Sequence, residues 1–334
     1  MVHSSLILVT GATGAVGPRV VAALHDAGYR IRTLSIDSPP DGVWPEGVEA
    51  RVGDITDPAT VQSAVQGVDG VIHLAALLHI VNPPQELREK YERINVGGTA
   101  IVVEAARQAG VKRLVFFSTI AVYGASGGGI LTEDSPTNPD SFYAQTKLDA
   151  ERIVLAARRE DGKPLGTVLR LGAVYGARIK GNYQRLLRAL ARGRFLPIGS
   201  GENRRTLVYD RDVARAALLA LEHPEAAGKV FNVSDGEFHT LNNIISTLCQ
   251  ALGRKPPGLS LPLGPVRFAA GIVEDAARLT GFSPPIVRAT IDKYTEDIAV
   301  DSRRIQRELG FEPLYDLLAG WKETVAEMRR AGDL

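Results

Sequence analysis

The sequence predicts an α/β protein built on a doubly wound parallel sheet, with a smaller C-terminal region beside it. Three observations carry that expectation. Short, nearly all-apolar runs alternate with longer amphipathic ones through the first half; the glycine-rich stretch TGATGAVG (10–17) follows the first apolar run directly; and loops become frequent after about residue 175. Apolar runs separated by helices mark strands buried on both faces. Right-handed crossovers between them place helices on both sides of the sheet.

Leu6–Thr10, Arg30–Ile36, Val48–Gly53, Gly70–Leu74 and Arg113–Phe117 are the predicted strands of the first half. Arg19–Ala27, Pro58–Gln66 and Val96–Ala109 are the predicted helices between them. Pro18 suits a helix start, where no intrahelical hydrogen bond is lost, and Asp57 before Pro58 reads as an N-cap. Residues 1–175 are assigned to the sheet domain and 176–334 mainly to the C-terminal region. Thr167–Leu171 and Val230–Val233 are expected to return to the sheet. RLLRALARGR (185–194), though locally basic, reads as a solvated helical face.

Composition narrows the class. A chain of 334 residues that is 45% hydrophobic and 23% charged suits a globular enzyme of one large or two moderate domains. A net charge of +1 gives no global field for nucleic acid or an anionic membrane. Cys249 is the only cysteine, so an intramolecular disulfide is excluded. No apolar run approaches a membrane span, no secretory signal pattern opens the chain, and a cytoplasmic protein is expected. The histidines show no metal-ligand spacing, no metal site is expected, and His73 at a strand end reads as packed.

The glycine triplet has two readings, a nucleotide cradle or a bare strand-to-helix turn, and its position at the carboxyl end of a parallel strand favours the first. Gly11 would permit the turn, Gly14 would admit a pyrophosphate, and Gly17 would let helix pack on strand. Free N–H groups at the helix start would meet the pyrophosphate. Asp54 in GDITD (53–57) either accepts from an adenine amino group or serves as a loop carboxylate. Ala75 and Ala76, after the fourth strand, leave room for a cofactor. The strongest signal is STIAVYG (118–124) followed by YAQTK (143–147). Tyr143 and Lys147 share one helical face at i, i+4. The lysine ammonium is expected to lower the phenol's pKa, and Thr119 to hydrogen-bond phenol and substrate, so that Tyr143 moves a proton while a cofactor takes hydride.

With TGATGAVG, GDITD, HLAA (73–76), NVGGT (95–99), STIAVYG, YAQTK, LRLGAVYG (169–176), RTLVYDRDVARA (205–216) and DSRRIQRELGFEP (301–313) in this order, the chain resembles the extended short-chain dehydrogenase/reductase superfamily, in its NAD-dependent epimerase/dehydratase group. The resemblance implies a Rossmann-type fold with a C-terminal substrate-binding region and a catalytic triad of Thr119, Tyr143 and Lys147. It implies cofactor contacts from Gly11, Thr13, Gly14, Ala15, Val16, Gly17, Asp37, Asp54, Ile55, Leu74, Ala75, Ala76, Asn95, Tyr143, Lys147 and Val174. A homodimer is implied as well.

NAD is the expected cofactor, with Asp37 reaching the ribose; NADP, drawn by Arg32, is the alternative. Thr119, Tyr143 and Arg205 are the expected substrate residues. Arg205 matches the arginine that grips the diphosphate in nucleotide-sugar members, its rival role being an ion pair with Asp210 or Asp212. Ala173 replaces an asparagine common at that position, and Leu77, Leu78, Ile80 and Val81 either line an apolar pocket or belong to the core. The expected activity is a UDP-sugar epimerase working through a 4-keto intermediate. The alternatives are a reductase or dehydrogenase of a keto sugar or apolar ketone, resembling hydroxysteroid dehydrogenases, and a non-catalytic NAD(P)-sensing module.

Overall fold

Every residue of Leu6–Thr10 is buried, as a strand covered on both faces requires. The computed structural model describes residues 4–78, 85–280 and 288–334. Its first part runs β1 (Leu6–Thr10), α1 (Gly17–Asp26), β2 (Arg30–Ser35), β3 (Glu49–Val52), α2 (Pro58–Val65), β4 (Gly70–His73), α3 (Gln85–Tyr91), a π-helix (Glu92–Gly98) continuing into α4 (Thr99–Gln108), β5 (Arg113–Thr119), β6 (Ile130–Leu131), α5 (Phe142–Ala156) and β7 (Gly166–Leu171). There follow β8 (Ala173–Tyr175), α6 (Asn182–Ala191), β9 (Arg204–Arg205), β10 (Leu207–Tyr209), α7 (Asp210–Glu222), β11 (Val230–Val233), β12 (His239–Thr240), α8 (Leu241–Leu252), α9 (Leu263–Thr280), α10 (Arg288–Thr295), β13 (Ala299–Val300), α11 (Arg303–Leu309) and α12 (Leu317–Arg330).

Seven strands form one sheet in the order β11-β7-β5-β4-β1-β2-β3, with every pairing parallel. The winding reverses between β1 and β4, which opens a crevice at their carboxyl ends. One face is covered by α1, α7 and α11 through Val20, Leu24, Val213 and Ile305. The other is covered by α2, α4 and α5 through Val61, Val102 and Val154. A third core, around Tyr175, Leu187, Leu248 and Trp321, joins α6, α8 and α12 beside the sheet. β7 and β11 are the outer two strands on their side, so the chain beyond residue 175 re-enters the sheet.

Local chemistry explains the boundaries. Asp57 caps α2 by accepting from the N–H groups of Ala59 and Thr60, ahead of Pro58. Ser141 caps α5 by accepting from Ala144 N at 3.3 Å. Several ends shift by a residue or two, as where α1 starts at Gly17 rather than Arg19, and two of the differences bear on the site. The strand expected to stop at Phe117 runs on to Thr119, because its register with β7 continues through Ser118↔Arg170 and Thr119↔Leu171. The helix expected from Val96 begins at Glu92 as a π-helix, which places Asn95 and Gly98 inside the widened turn. Among the described residues no helix is long and apolar enough to cross a membrane.

Candidate active site

The three glycines of the first turn meet different constraints. Gly11 has φ +69°, and a Cβ there would lie 2.7 Å from the backbone of Ala75. A Cβ on Gly17 would lie 2.0 Å from the carbonyl oxygen of Ala12, so α1 closes on the turn only through glycine. At Gly14 a Cβ would meet only Gly11 O, at 3.0 Å, among the described residues, which leaves its outer side open. Thr13 N–H donates to Ser35 Oγ at 3.2 Å, fixing the turn to the end of β2. The N–H groups of Ala15 and Val16, at the start of α1, have no acceptor among the described residues. Such a turn fits a pyrophosphate.

Around it, Asp37 is exposed on the loop after β2, and Asp54 Oδ1 accepts from Thr56 N at 2.8 Å, as a loop carboxylate does. Ile55 is buried against Gly98 of the π-helix. Leu74, Ala75 and Ala76 continue from β4, with Leu74 N donating to Thr10 O at 3.1 Å. Val174 stands on β8, half-buried. Arg32 is corrected as a 2′-phosphate candidate. Its side chain is buried in β2, pairs with Glu49 at 2.7 Å and donates to the carbonyls of Ala64 and Gln66.

Beneath the turn, His73 holds two strands and a helix together. Thr99 Oγ1 donates to Asn95 O at 2.7 Å, so it accepts from His73 Nε2, 3.0 Å away. His73 Nδ1 is then an acceptor, and the Thr10 hydroxyl donates to it at 2.6 Å. Burial, with Lys147 near by, pushes His73 down to about 3, so the ring is neutral. Asn95, itself buried, accepts from Leu77 N at 2.8 Å and donates to Thr146 Oγ1 at 3.2 Å. Thr146 Oγ1 in turn donates to Tyr143 O at 2.9 Å. Asn95 therefore pins α5 beside the carboxyl end of β4. Leu77 takes part through its backbone, Leu78 is exposed, and Ile80 and Val81 lie outside the described residues.

Thr119 ends β5, and its Oγ1 accepts from Ala121 N at 3.2 Å. Tyr143 opens α5 with its ring 6.3 Å from that of Tyr91, and Lys147 follows one turn later. Lys147 is only 3% exposed, and its Nζ lies 4.0 Å from the centroid of the Phe116 ring on β5. Among the described residues that ammonium has no hydrogen-bond or ion-pair partner. Burial pushes Lys147 down to about 7, against the pull of Glu151. The expected lowering of the phenol is corrected: burial, with Tyr91 beside it, pushes Tyr143 up to about 12. Taking a phenol and a cation out of water disfavours the charged form of each.

Arg205, on β9, makes neither expected contact with an aspartate. Its Nη2 donates to the carbonyls of Lys293 and Tyr294 at 2.6 and 2.9 Å, at the end of α10. Asp210 instead pairs with Arg19, and Asp212 with Arg215 and the N–H groups of Leu314 and Tyr315. Burial pushes Tyr183 on α6 up to about 12, and Arg205 is close enough to pull weakly the other way.

Sequence reasoning missed the network behind the triad. Glu151, 1% exposed, receives two donors of Arg170 (2.7 Å for Nη2) and the hydroxyl of Ser118. Arg170 also stacks over the Tyr123 ring, 4.7 Å from its centroid. The available signal was spacing: Glu151 repeats the i, i+4 step that links Tyr143 to Lys147.

The profile of the NAD dependent epimerase/dehydratase family matches residues 7–234. UDP-glucose 4-epimerase of Vibrio cholerae is 28% identical, over 98% of this chain and 96% of its own length. A 3 beta-hydroxysteroid dehydrogenase/Delta 5-->4-isomerase of Mycobacterium tuberculosis is also 28% identical, over 92% of this chain and 86% of its own. Among solved structures, MoeE5 in complex with UDP-glucose and NAD superposes with a TM-score of 0.76 at 28% identity, covering 97% of this chain and 99% of that one.

Proposed function

Because this chain belongs to the NAD-dependent epimerase/dehydratase family, we propose that it is an NAD-dependent nucleotide-sugar epimerase, acting on a UDP-sugar by oxidation at C4 and re-reduction on the opposite face. One observation carries this reading. Lys147 is a buried ammonium with no acceptor among the described residues, one turn from Tyr143 and over Phe116 of β5, the residue paired with His73 at the carboxyl end of β4. Three unused N–H donors in a dry site suit ribose hydroxyls, and the open turn at Gly14–Val16 suits a pyrophosphate, so these residues fit NAD. NAD, when bound, supplies a hydride acceptor that later returns the hydride. With the Arg32 guanidinium engaged by Glu49, Ala64 and Gln66, the binding site favours the cofactor without a 2′-phosphate.

The chain's own residues handle the proton. Tyr143 rests as a neutral phenol, because burial holds it near 12. It becomes a base only when positive charge gathers around it, and protonated Lys147 supplies part of that charge. The phenolate then takes the proton of the C4 hydroxyl and later returns it to the keto oxygen, with Thr119 Oγ1 holding that oxygen in line. Arg205, with donors beyond the two carbonyl bonds of its Nη2, holds the diphosphate beside Tyr183. A cytoplasmic homodimer completes the proposal.

A second reading has its own support. Ala173 removes an amide from the sugar side of the site, and the mycobacterial hydroxysteroid dehydrogenase is as similar as the epimerase. Run in one direction with exchangeable reduced cofactor, the same triad would reduce a keto sugar or an apolar ketone. Assaying the purified protein with UDP-glucose and no added cofactor, and in parallel with a ketone and added NADH or NADPH, separates the two. Interconversion with UDP-galactose is expected; net consumption of added NADH or NADPH with a ketone, and no interconversion, would favour the reductase.

A further inference from the structure

The net charge of +1 conceals a one-sided distribution. Residues 177–201 carry Arg178, Lys180, Arg185, Arg188, Arg192 and Arg194 and no acidic residue. Residues 238–273 carry Arg254, Lys255 and Arg267, again with no acidic residue. The fold brings these segments together. Phe195 and Leu196 share a groove of about 420 Å³ with Arg254, Lys255 and Leu259. Just beyond it, Leu261 N donates to Pro197 O at 2.8 Å and Gly199 N donates to Leu261 O at 2.9 Å.

Helix α9 leaves from this junction. One side packs on α10, where a Cβ on Gly271 would lie 2.4 Å from the Arg288 guanidinium. The opposite side carries Phe268 (72% exposed), Ile272 (56%) and Val273 (50%). With Leu196, Leu259 and Leu261 these make six of the twelve large hydrophobic side chains left exposed among the described residues. Their concentration on two hydrogen-bonded segments and the helix that leaves them points to an interaction surface rather than ordinary exposure. Arg188 and Arg267 are engaged by Asp333 and Asp292. Arg192, Arg194, Arg254 and Lys255 are exposed and have no ion pair among the described residues.

We propose that this face docks the protein on an anionic phospholipid membrane. The outer side of α9 enters the headgroup boundary, and Arg192, Arg194, Arg254 and Lys255 lie over the lipid phosphates. An apolar face alone would suit a protein partner equally. Unpaired cations lie in the adjoining segments, and the acids of α9, Glu274 and Asp275, are engaged by Arg288, so the free charge here is positive and selects a partner of negative charge.

Co-sedimentation of the whole protein with vesicles tests this. It is expected to bind phosphatidylcholine vesicles containing phosphatidylserine, to bind pure phosphatidylcholine far more weakly, and to be released by salt. Arg254→Gln with Lys255→Gln is expected to weaken binding about 25-fold, at about fivefold per charge. Phe268→Ser with Ile272→Ser is expected to abolish binding while leaving turnover and elution volume unchanged. Equal binding to both vesicle types, or none to either, would overturn the proposal. So would a change of oligomeric state in the Phe268/Ile272 variant, since the face would then belong to a protein interface.

Discussion

Lys147→Met is expected to stabilise the cofactor-free protein at neutral pH while destroying its activity. Burial lowers Lys147 from 10.5 to about 7, which corresponds to about 4–5 kcal/mol lost on folding at pH 7. The Phe116 ring beneath the ammonium offsets about 2 kcal/mol of that. Methionine fills similar space without the charge, so a net gain of about 2–3 kcal/mol is expected. The pH dependence sharpens the test. In the unfolded chain Lys147 stays protonated up to its ordinary 10.5, and in the folded protein only below about 7. Between those values the unfolded chain binds more protons, so wild-type stability rises with pH. The advantage of the variant should shrink by up to about 1.4 kcal/mol per pH unit above 7 and level off only as the pH approaches 10.5, where the unfolded chain also loses the proton. Urea unfolding of NAD-free protein, followed by the fluorescence of buried Trp321, measures both quantities. A variant less stable than wild type at pH 7, or a gap that ignores pH, would refute the account of Lys147 as a cation held in a dry site.

Other expectations follow from the same geometry. Tyr143→Phe should lower turnover by about 10²–10⁴-fold or more with NAD affinity unchanged, measured by product formation and by calorimetric titration. Glu151→Gln leaves the Arg170 guanidinium buried without its counter-charge and should cost about 3–5 kcal/mol in urea unfolding, with Lys147 titrating lower still. Gly17→Ala should lose NAD binding in a fluorescence titration, because its Cβ would be driven to 2.0 Å from Ala12 O. Arg32→Lys should not raise the affinity for NADP over NAD, since that side chain serves Glu49 and two carbonyls.

What was legible in the sequence was local. The separate duties of Gly11 and Gly17 follow from a strand, a turn and a helix start within a dozen residues, and the structure gives each its constraint. Tyr143 and Lys147 share a helical face for the same reason. What was hidden was set by distant chain. Arg32 reads as a phosphate binder until the β2–β3 register places Glu49 opposite it. Arg205 ends on the carbonyls of Lys293 and Tyr294, nearly ninety residues away, which no motif reveals. The phenol's direction of shift was misread because a lysine four residues away was weighed and the burial of both groups was not.

The central claim is that one site removes a hydride from C4 of a UDP-sugar and returns it to the same carbon, with Tyr143 moving the proton. Following a deuterium label placed at C4 of UDP-glucose tests it most directly, using protein with only the NAD it retains. The account predicts UDP-galactose carrying the label at C4, and no conversion with Tyr143→Phe. UDP-galactose without the label at C4, or a keto sugar released as the end product, would contradict it.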